Sequence, residues 1–299
     1  MTAILARADS HGLTLELTLE RHDLLPGTLA NGRLRVASGG GMQIRRIQIV
    51  LRATEHWQHD IYDATTKTTR TVTEREQVVR VPVELSGPLV LAPGGIVELP
   101  VEIPVPPLGP ASLEAEVEGL TWEIGVEIDR PGGLDPGLVA PVRVLQPTAL
   151  LRAGVVHVGE FALYEAADSA VGEASATVEI KPMPICVGMP FTGRLTMEIH
   201  RPIDVEEIRV EIRVRVEAAV SGGKEDEITL VRASISGPAH LEPGAYEHSF
   251  ACDVPPTYLP TIELAHGRAQ AVCHLILARR MARDPHLVRD VTICSTIEI

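Results

Sequence analysis

The feature that most constrains this chain is a turn–strand–corner unit that occurs twice. The first copy runs from Leu91-Ala-Pro-Gly94 to the corner Ile103-Pro-Val-Pro-Pro107, and the second from Leu241-Glu-Pro-Gly244 to the corner Val254-Pro-Pro-Thr-Tyr-Leu-Pro260. The copies start about 150 residues apart, which is the length of an ordinary domain, so the repeat predicts two copies of one domain. We expect the first domain at residues 1–147 and the second at 148–299, with a less patterned connector at about 148–172.

A second repeated pattern supports the duplication. A pair of glycines, Gly27 and Gly32, recurs with the same spacing as Gly188 and Gly193. From the second glycine of each pair to an isoleucine of the next strand, Ile47 or Ile208, the distance is again equal. The first domain then carries an insertion of about eleven residues at 59–73, which is polar and rich in threonine and predicts an exposed hairpin.

Hydrophobic periodicity predicts strands throughout. Apolar residues alternate with polar ones in short runs, which is the period of a half-buried strand. No run longer than ten residues has a helical period. The pattern in both halves therefore predicts an all-β fold that consists of two tandem immunoglobulin-like antiparallel β-sandwiches. The clearest alternating runs are 13–19, 47–53, 79–85, 97–103, 122–128, 174–180 and 208–216.

Composition excludes several classes of function. The formal net charge is −13 and no basic stripe is present, so we expect no nucleic-acid partner. No apolar run reaches the length of a membrane-spanning helix, and Arg7 and Asp9 interrupt any export signal at the start of the chain. The four cysteines form no Cys-x-x-Cys pair and are expected to be reduced, small hydrophobes in strands. We therefore expect a cytoplasmic protein.

The repeated motifs resemble those of the arrestin-like superfamily, which includes the arrestins, the retromer cargo-binding subunit and bacterial sporulation-control-type proteins. In that superfamily each domain has an early glycine turn like Gly27 to Gly32, and a Leu-x-x-Gly strand that ends at a proline corner like Leu91 to Pro107. A Gly-x-x-aromatic strand follows, and Gly119-Leu-Thr-Trp122 fits it, whereas Gly267-Arg-Ala-Gln270 has lost the aromatic residue. The resemblance covers nearly the whole chain.

This resemblance implies two β-sandwiches and a non-enzymatic adaptor or scaffold that binds other proteins, often at a membrane. No residue here matches the phosphate-sensing trigger of receptor-binding arrestins, and we find no amphipathic helix in the first domain. The chain ends on a strand pattern at Ile299, so we expect no regulatory tail.

The first candidate contact site is a basic loop before the last strand, with Arg279, Arg280 and Arg283. In an acidic protein these side chains are suited to an anionic lipid or an acidic partner peptide, although lipid surfaces usually require more basic residues. The alternative is a solvated loop whose arginines pair with Asp284 and Asp290.

The second candidate is a strand edge. Leu13, Leu15, Leu17 and Leu19 mark the first alternating strand, which we expect to lie at the outside of its sheet. It has no proline or inward charge as a guard, so an extended partner peptide could pair with it.

Other motifs have less specific explanations. Pro255-Pro256-Thr257-Tyr258 matches a WW-domain ligand, but it also occupies the repeated corner. His248, Cys252, His266, Cys273 and His274 lie close in sequence without a tight ligand pair, so we predict no metal site, and no catalytic or cofactor-binding residue. Glu114, Glu116 and Glu118 are expected on a solvated strand face.

The leading prediction is thus an arrestin-like adaptor with a protein partner and no cofactor, with peripheral contact to a membrane compatible with it. The alternative is a self-assembling structural β-sandwich protein whose edge strands pair with its own copies. Sugar binding or catalysis is disfavoured because aromatic residues make up only 3% of the chain. The sequence leaves open the partner's identity, the pathway and the oligomeric state.

Overall fold

The computed structural model describes residues 3–132, 135–146, 160–161, 174–280, 284 and 286–295. These residues form β-strands and connecting turns, and no helix occurs among them. The strands assemble into several sheets, mostly antiparallel, in β-sandwich architecture. The all-β fold class predicted from the alternating pattern is confirmed.

The chain divides into two compact units. The first comprises Met1–Trp57, Thr73–Glu114 and Gly119–Gln146, and the second comprises Gln58–Val72, Ala115–Glu118 and Pro147–Ile299. The predicted domains, 1–147 and 148–299, place residues 58–72 and 115–118 in the first domain instead. The domain limits therefore stay a prediction.

Two sheets and a short ribbon form the first unit, except that the residues of β6 and β7 within 58–72 and Glu118 of β10 belong to the second unit. One sheet has the strand order β1-β2-β4-β9, the other has the order β3-β11-β10-β6-β7, and β5 pairs with β8. Leu15 and Leu34 of the first sheet and Ile49 of the second are fully buried, as is the indole of Trp122, whose N–H donates to the carbonyl of Pro110 at 3.0 Å. The strands are β1 (Ala3–Ser10), β2 (Leu13–Leu19), β3 (Asp23–Leu24), β4 (Leu29–Ser38), β5 (Met42–Ile44), β6 (Arg46–Asp63), β7 (Thr68–Ser86), β8 (Leu89–Leu91), β9 (Ile96–Pro104), β10 (Glu118–Asp129) and β11 (Gly137–Val144).

Strand β2 is an interior strand, which corrects the prediction that Leu13, Leu15, Leu17 and Leu19 lie at a sheet edge. It pairs with β1 on one side and with β4 on the other. Residues 3–10 have little alternation in sequence, yet they fold back onto β2 through a tight turn in which His11 and Gly12 both have positive φ. Because β1 covers this edge, the main chain of β2 is not available to a partner.

The second unit repeats this plan. One sheet has the order β12-β13-β15-β20, and the other has the order β18-β17-β22-β21, in which β23 also pairs with β22. The ribbons β14–β24 and β16–β19 complete it. The strands are β12 (Glu160–Phe161), β13 (Ala174–Lys181), β14 (Ile185–Cys186), β15 (Pro190–Ile199), β16 (Ile203–Val205), β17 (Glu207–Ala218), β18 (Glu225–Ser236), β19 (Ala239–Leu241), β20 (Gly244–Asp253), β21 (Ile262–Glu263), β22 (Gly267–Ala278), β23 (His286–Val291) and β24 (Ile293–Cys294).

The repeated glycines have a physical explanation. Gly27 and Gly188 adopt φ values of 78° and 73°, which glycine tolerates and other residues rarely do. At Gly32 a Cβ atom would lie 2.1 Å from the carbonyl oxygen of Thr18, and at Gly193 it would lie 2.1 Å from the ring of Phe250. The first glycine of each pair thus forms the turn, and the second allows close packing within the sheet.

Other sequence predictions can be placed on the fold. The polar insertion at 59–73 forms the hairpin between β6 and β7, as predicted. All four cysteines are buried free thiols in strands, as predicted. Most of the predicted connector at about 148–172 lies outside the described residues.

Candidate functional site

Two of the three predicted basic residues line a groove in the second unit. Arg279 and Arg280 form one wall, and the five consecutive residues Pro202–Glu206 form the other. The groove has a volume of about 490 Å³. We call it the β16 groove, because β16 lies at the centre of its longer wall. The third predicted residue, Arg283, lies outside the described residues.

Strand β16 is held by its apolar residues and presents its acidic ones. Ile203 and Val205 are each only 4% exposed, whereas Asp204 and Glu206 are exposed. This separation follows from the alternation of side chains along a strand. The main chain of β16 pairs with β19 through Ile203 and Leu241 at one end of the ribbon.

The arginine wall begins where β22 ends. The amide of Glu206 donates a hydrogen bond of 2.8 Å to the carbonyl of Ala278, which joins the two walls at one end. The amide of Arg279 donates to Oδ1 of Asp284 at 2.8 Å. Arg280 is exposed, and its guanidinium forms no ion pair within the part of the chain that the structure describes.

A histidine beside the groove forms hydrogen bonds with two acidic residues. Nδ1 of His240 on β19 lies 2.6 Å from Oδ1 of Asp204, and Nε2 lies 3.3 Å from Oε1 of Glu242. The hydrogen bond with Asp204, helped by the negative charge of that residue, raises the pKa of His240 above its ordinary value. When His240 is protonated it neutralises Asp204, so the charge at this wall of the groove depends on pH.

A ladder of ion pairs continues from the groove along β17. Arg209 contacts Glu207 and Glu211 at 3.1 and 2.8 Å, and Arg213 contacts Glu227 of β18 at 2.7 Å. Burial acts to raise the pKa of Glu211, but hydrogen bonds from Arg213 and Arg209 outweigh it, and the pKa lies below the ordinary value. In the alternating run 208–216 the sequence places Arg209, Glu211 and Arg213 on the face opposite the apolar residues, but strand periodicity does not show which charges meet across neighbouring strands.

The histidine and cysteine residues of the second unit do not converge. Within the described ranges, no three side chains of the types that hold metal ions form a cluster. Cys252 on β20 and Cys273 on β22 are both buried. Burial, together with the neighbouring Cys252, raises the pKa of Cys273 to about 12, so this thiol is neutral at ordinary pH.

Two other motifs have structural roles. In the Pro-Pro-Thr-Tyr corner the amide of Thr257 donates to the carbonyl of Pro255 at 2.8 Å, so the main chain turns here instead of extending as a WW-domain ligand would. Glu118 is fully buried, which corrects the expected solvated face for this residue. A Cβ atom at Gly267 would lie 2.5 Å from the Glu118 carboxylate, so the glycine at position 267 leaves space for the Glu118 side chain.

The first part of the chain shows which protein family it belongs to. Among the residues that the structure describes, no helix is long and apolar enough to cross a membrane. No curated protein gives a significant match to the sequence. Residues 1–156, just over half of the chain, match the family model described as SpoOM protein, a sporulation-control protein. The chain therefore belongs to the SpoOM protein family.

Proposed function

We propose that this protein is a non-enzymatic adaptor of the arrestin-like type, which acts in regulation by binding other proteins. Membership of a sporulation-control family is compatible with a regulatory role. The resemblance to arrestin-like proteins, which was inferred from the repeated motifs, adds the adaptor character. We place the protein in the cytoplasm, since its four buried free thiols suit a reducing compartment.

The observation that carries the proposal is the duplicated strand order. The sheet β1-β2-β4-β9 of the first unit corresponds to β12-β13-β15-β20 of the second, and β11-β10-β6-β7 corresponds to β23-β22-β17-β18. Two copies of one sandwich give a chain with several outer strands, and an outer strand can take up an extended segment of another protein. Such a scaffold suits an adaptor.

A structural, self-assembling role is the second candidate, and one strand favours it. Strand β20 is one of the two outer strands of its sheet among the described residues and contains no proline. The corresponding strand β9 contains Pro100, which lacks an amide donor and so weakens pairing with a further strand. An unguarded outer strand of this kind can pair with a second copy.

Crosslinking in the protein's own cells tests the proposal. A photoreactive amino acid at an exposed position of each unit, Val90 and Met189, would capture neighbouring proteins for identification by mass spectrometry. We expect a small set of other proteins whose recovery falls when an untagged copy of the chain competes for them. A matched control carries the same label on Leu34→Asp, which places a charge in the core of the first unit. Predominant recovery of the chain itself would instead support self-assembly.

A further inference from the structure

We propose that the β16 groove binds an extended segment of a partner protein that carries one basic and one acidic side chain, the base facing Glu206 and the acid facing Arg280. This inference rests on the proposed adaptor function, and it names the site and the kind of partner. Four observations support it: the course of the groove along the main chain, the two charges at its walls, their counterparts in the first unit, and the length of the wall.

The groove follows the main chain of β16. Successive side chains of a strand point to opposite faces, yet all five residues from Pro202 to Glu206 line the groove, including Ile203 and Val205, whose side chains are buried. The groove must therefore run beside the backbone itself. Within the described residues β16 pairs only with β19, so no described strand pairs with its other edge.

The groove also holds two opposite charges that do not neutralise each other. Glu206 and Arg280 are both exposed, and neither side chain forms an ion pair within the described part of the chain. A ligand with a single charge would be attracted to one wall and repelled by the other. A segment with both charges can complement both walls, and this complementarity selects the orientation of the segment.

The first unit has an ion pair at the corresponding place. There the amide of Arg45, after β5, donates to the carbonyl of Asp129 at the end of β10, as the amide of Glu206 donates to Ala278. The side chains of Arg45 and Asp129 then form an ion pair at 3.6 Å. The second unit has Ala278 where the first has Asp129, so Glu206 has no such partner across this position and stays available.

An extended peptide fits the remaining dimensions. A strand advances about 3.3 Å per residue, so a wall of five residues matches a segment of similar length. Main-chain hydrogen bonds to β16 would supply sequence-independent affinity, and the two charges would supply selectivity. Protonation of His240 neutralises Asp204, the other carboxylate of this wall, and leaves Glu206 as the carboxylate that forms no ion pair within the described residues.

Selection from a random seven-residue peptide library displayed on phage tests this proposal on the full chain. We expect enriched peptides to contain one acidic and one basic residue at a constant spacing. A synthetic copy of an enriched peptide should bind about three- to fivefold more weakly to Arg280→Glu and to Glu206→Arg, the loss expected for an exposed ion pair. The double variant should bind a peptide whose two charges have been exchanged.

A closing variant provides the matched control. Ala278→Arg places a cation where the first unit has Asp129, so that it can pair with Glu206 and close the groove without removing a groove charge; Ala278→Gln adds similar bulk without charge. We expect Ala278→Arg to weaken peptide binding more than Ala278→Gln does. Hydrogen exchange should report protection of the β16 amides when the peptide binds. If Ala278→Arg does not fold, the charge exchange carries the test alone.

Three outcomes would overturn the proposal. The first is the absence of enrichment on the wild-type chain. The second is enriched peptides that bind equally to all the groove variants. The third is Arg280-dependent binding to phosphatidylglycerol vesicles without peptide selection, which would assign the groove to a membrane surface. Partners that crosslink equally to wild type and to the groove variants in cells would leave the adaptor function standing while removing this site.

Discussion

The ammonium group of Lys224 donates a 2.6 Å hydrogen bond to a carboxylate oxygen of Asp60, although 164 positions of the chain separate the two residues. Thr71 donates to the other oxygen of Asp60 at 2.7 Å. Main-chain bonds lie on either side of this pair, from Asp60 to Gly222 and from Lys224 to Gln58. The hairpin tip at 58–72 is thereby joined to the turn between β17 and β18 within the second unit.

The first prediction concerns the pKa of Asp60. The hydrogen bond from Lys224, followed by that from Thr71, lowers this pKa from its ordinary value of 3.8. The ion pair therefore stabilises the folded state above pH 3.8, and this contribution is lost as the pH falls through the folded pKa. Lys224→Ala should raise the pKa of Asp60, as measured by carbon-detected NMR titration of its carboxyl group. Lys181→Ala is the control and should leave it unchanged; an equal titration in all three proteins would show that the pair does not form in solution.

The second prediction concerns the close packing at Gly193. A Cβ atom there would lie within 2.6 Å of three atoms of the Phe250 ring. This ring packs edge-on against Phe191, with 6.4 Å between the two ring centroids. Gly193→Ala should therefore lower the free energy of unfolding of the second unit by about 1–3 kcal/mol, as overpacking of a core does. Gly237→Ala in the same unit is the control, since nothing lies within 4 Å of its Cβ position. Urea denaturation measures both variants, and equal midpoints would contradict the role assigned to the repeated glycine.

The third prediction concerns the buried carboxylate of the charged ladder. The Glu211 side chain is 6% exposed and contacts both Arg209 and Arg213. Glu211→Gln removes the negative charge and leaves two partly buried guanidinium groups without it, so we expect a loss of about 2–4 kcal/mol in unfolding free energy. Glu247→Gln removes the partner of Arg194 at an exposed pair and should change the denaturation midpoint little. Similar losses of unfolding free energy for the two substitutions would mean that burial of Glu211 does not increase the contribution of its ion pairs to stability.

The fourth prediction concerns His240 and pH. Because the pKa of His240 is raised in the folded state, its bond to Asp204 stabilises the protein below the ordinary pKa of 6.5, and the contribution is lost as the pH rises through the folded value. The stability difference between wild type and His240→Ala should thus be larger at pH 5.5 than at pH 9. Asp204→Asn should lower the pKa of His240 toward 6.5, as measured by NMR of the imidazole protons. A difference that grows with pH would contradict the assigned charge state.

Much of the fold could be predicted because its signals are local. The alternation at Leu13 to Leu19 determines which face of β2 is buried, whatever strands lie beside it. The paired glycines mark a turn with positive φ and a close packing contact, and both requirements show in the residue type itself. These rules act within a few residues, so the duplication was visible without a structure.

The neighbours of each strand could not be predicted in the same way. Residues 3–10 have weak alternation, so their pairing with β2, which removes the expected edge, depends on contacts that no short stretch of sequence encodes. The carboxylate of Glu118 looked solvated in an acidic stretch, yet it is buried beside Gly267.

For the candidate site, the sequence by itself determined that Arg279 and Arg280 form a local cluster of positive charge in an acidic chain, and that the chain consists of two copies of one strand pattern. Only the tertiary structure decided that these arginines line one groove with Asp204 and Glu206, and that the corresponding place in the first unit holds an ion pair between Arg45 and Asp129. The physical reason is that periodicity specifies which side of a strand is apolar, whereas the pairing of distant strands specifies which charges meet.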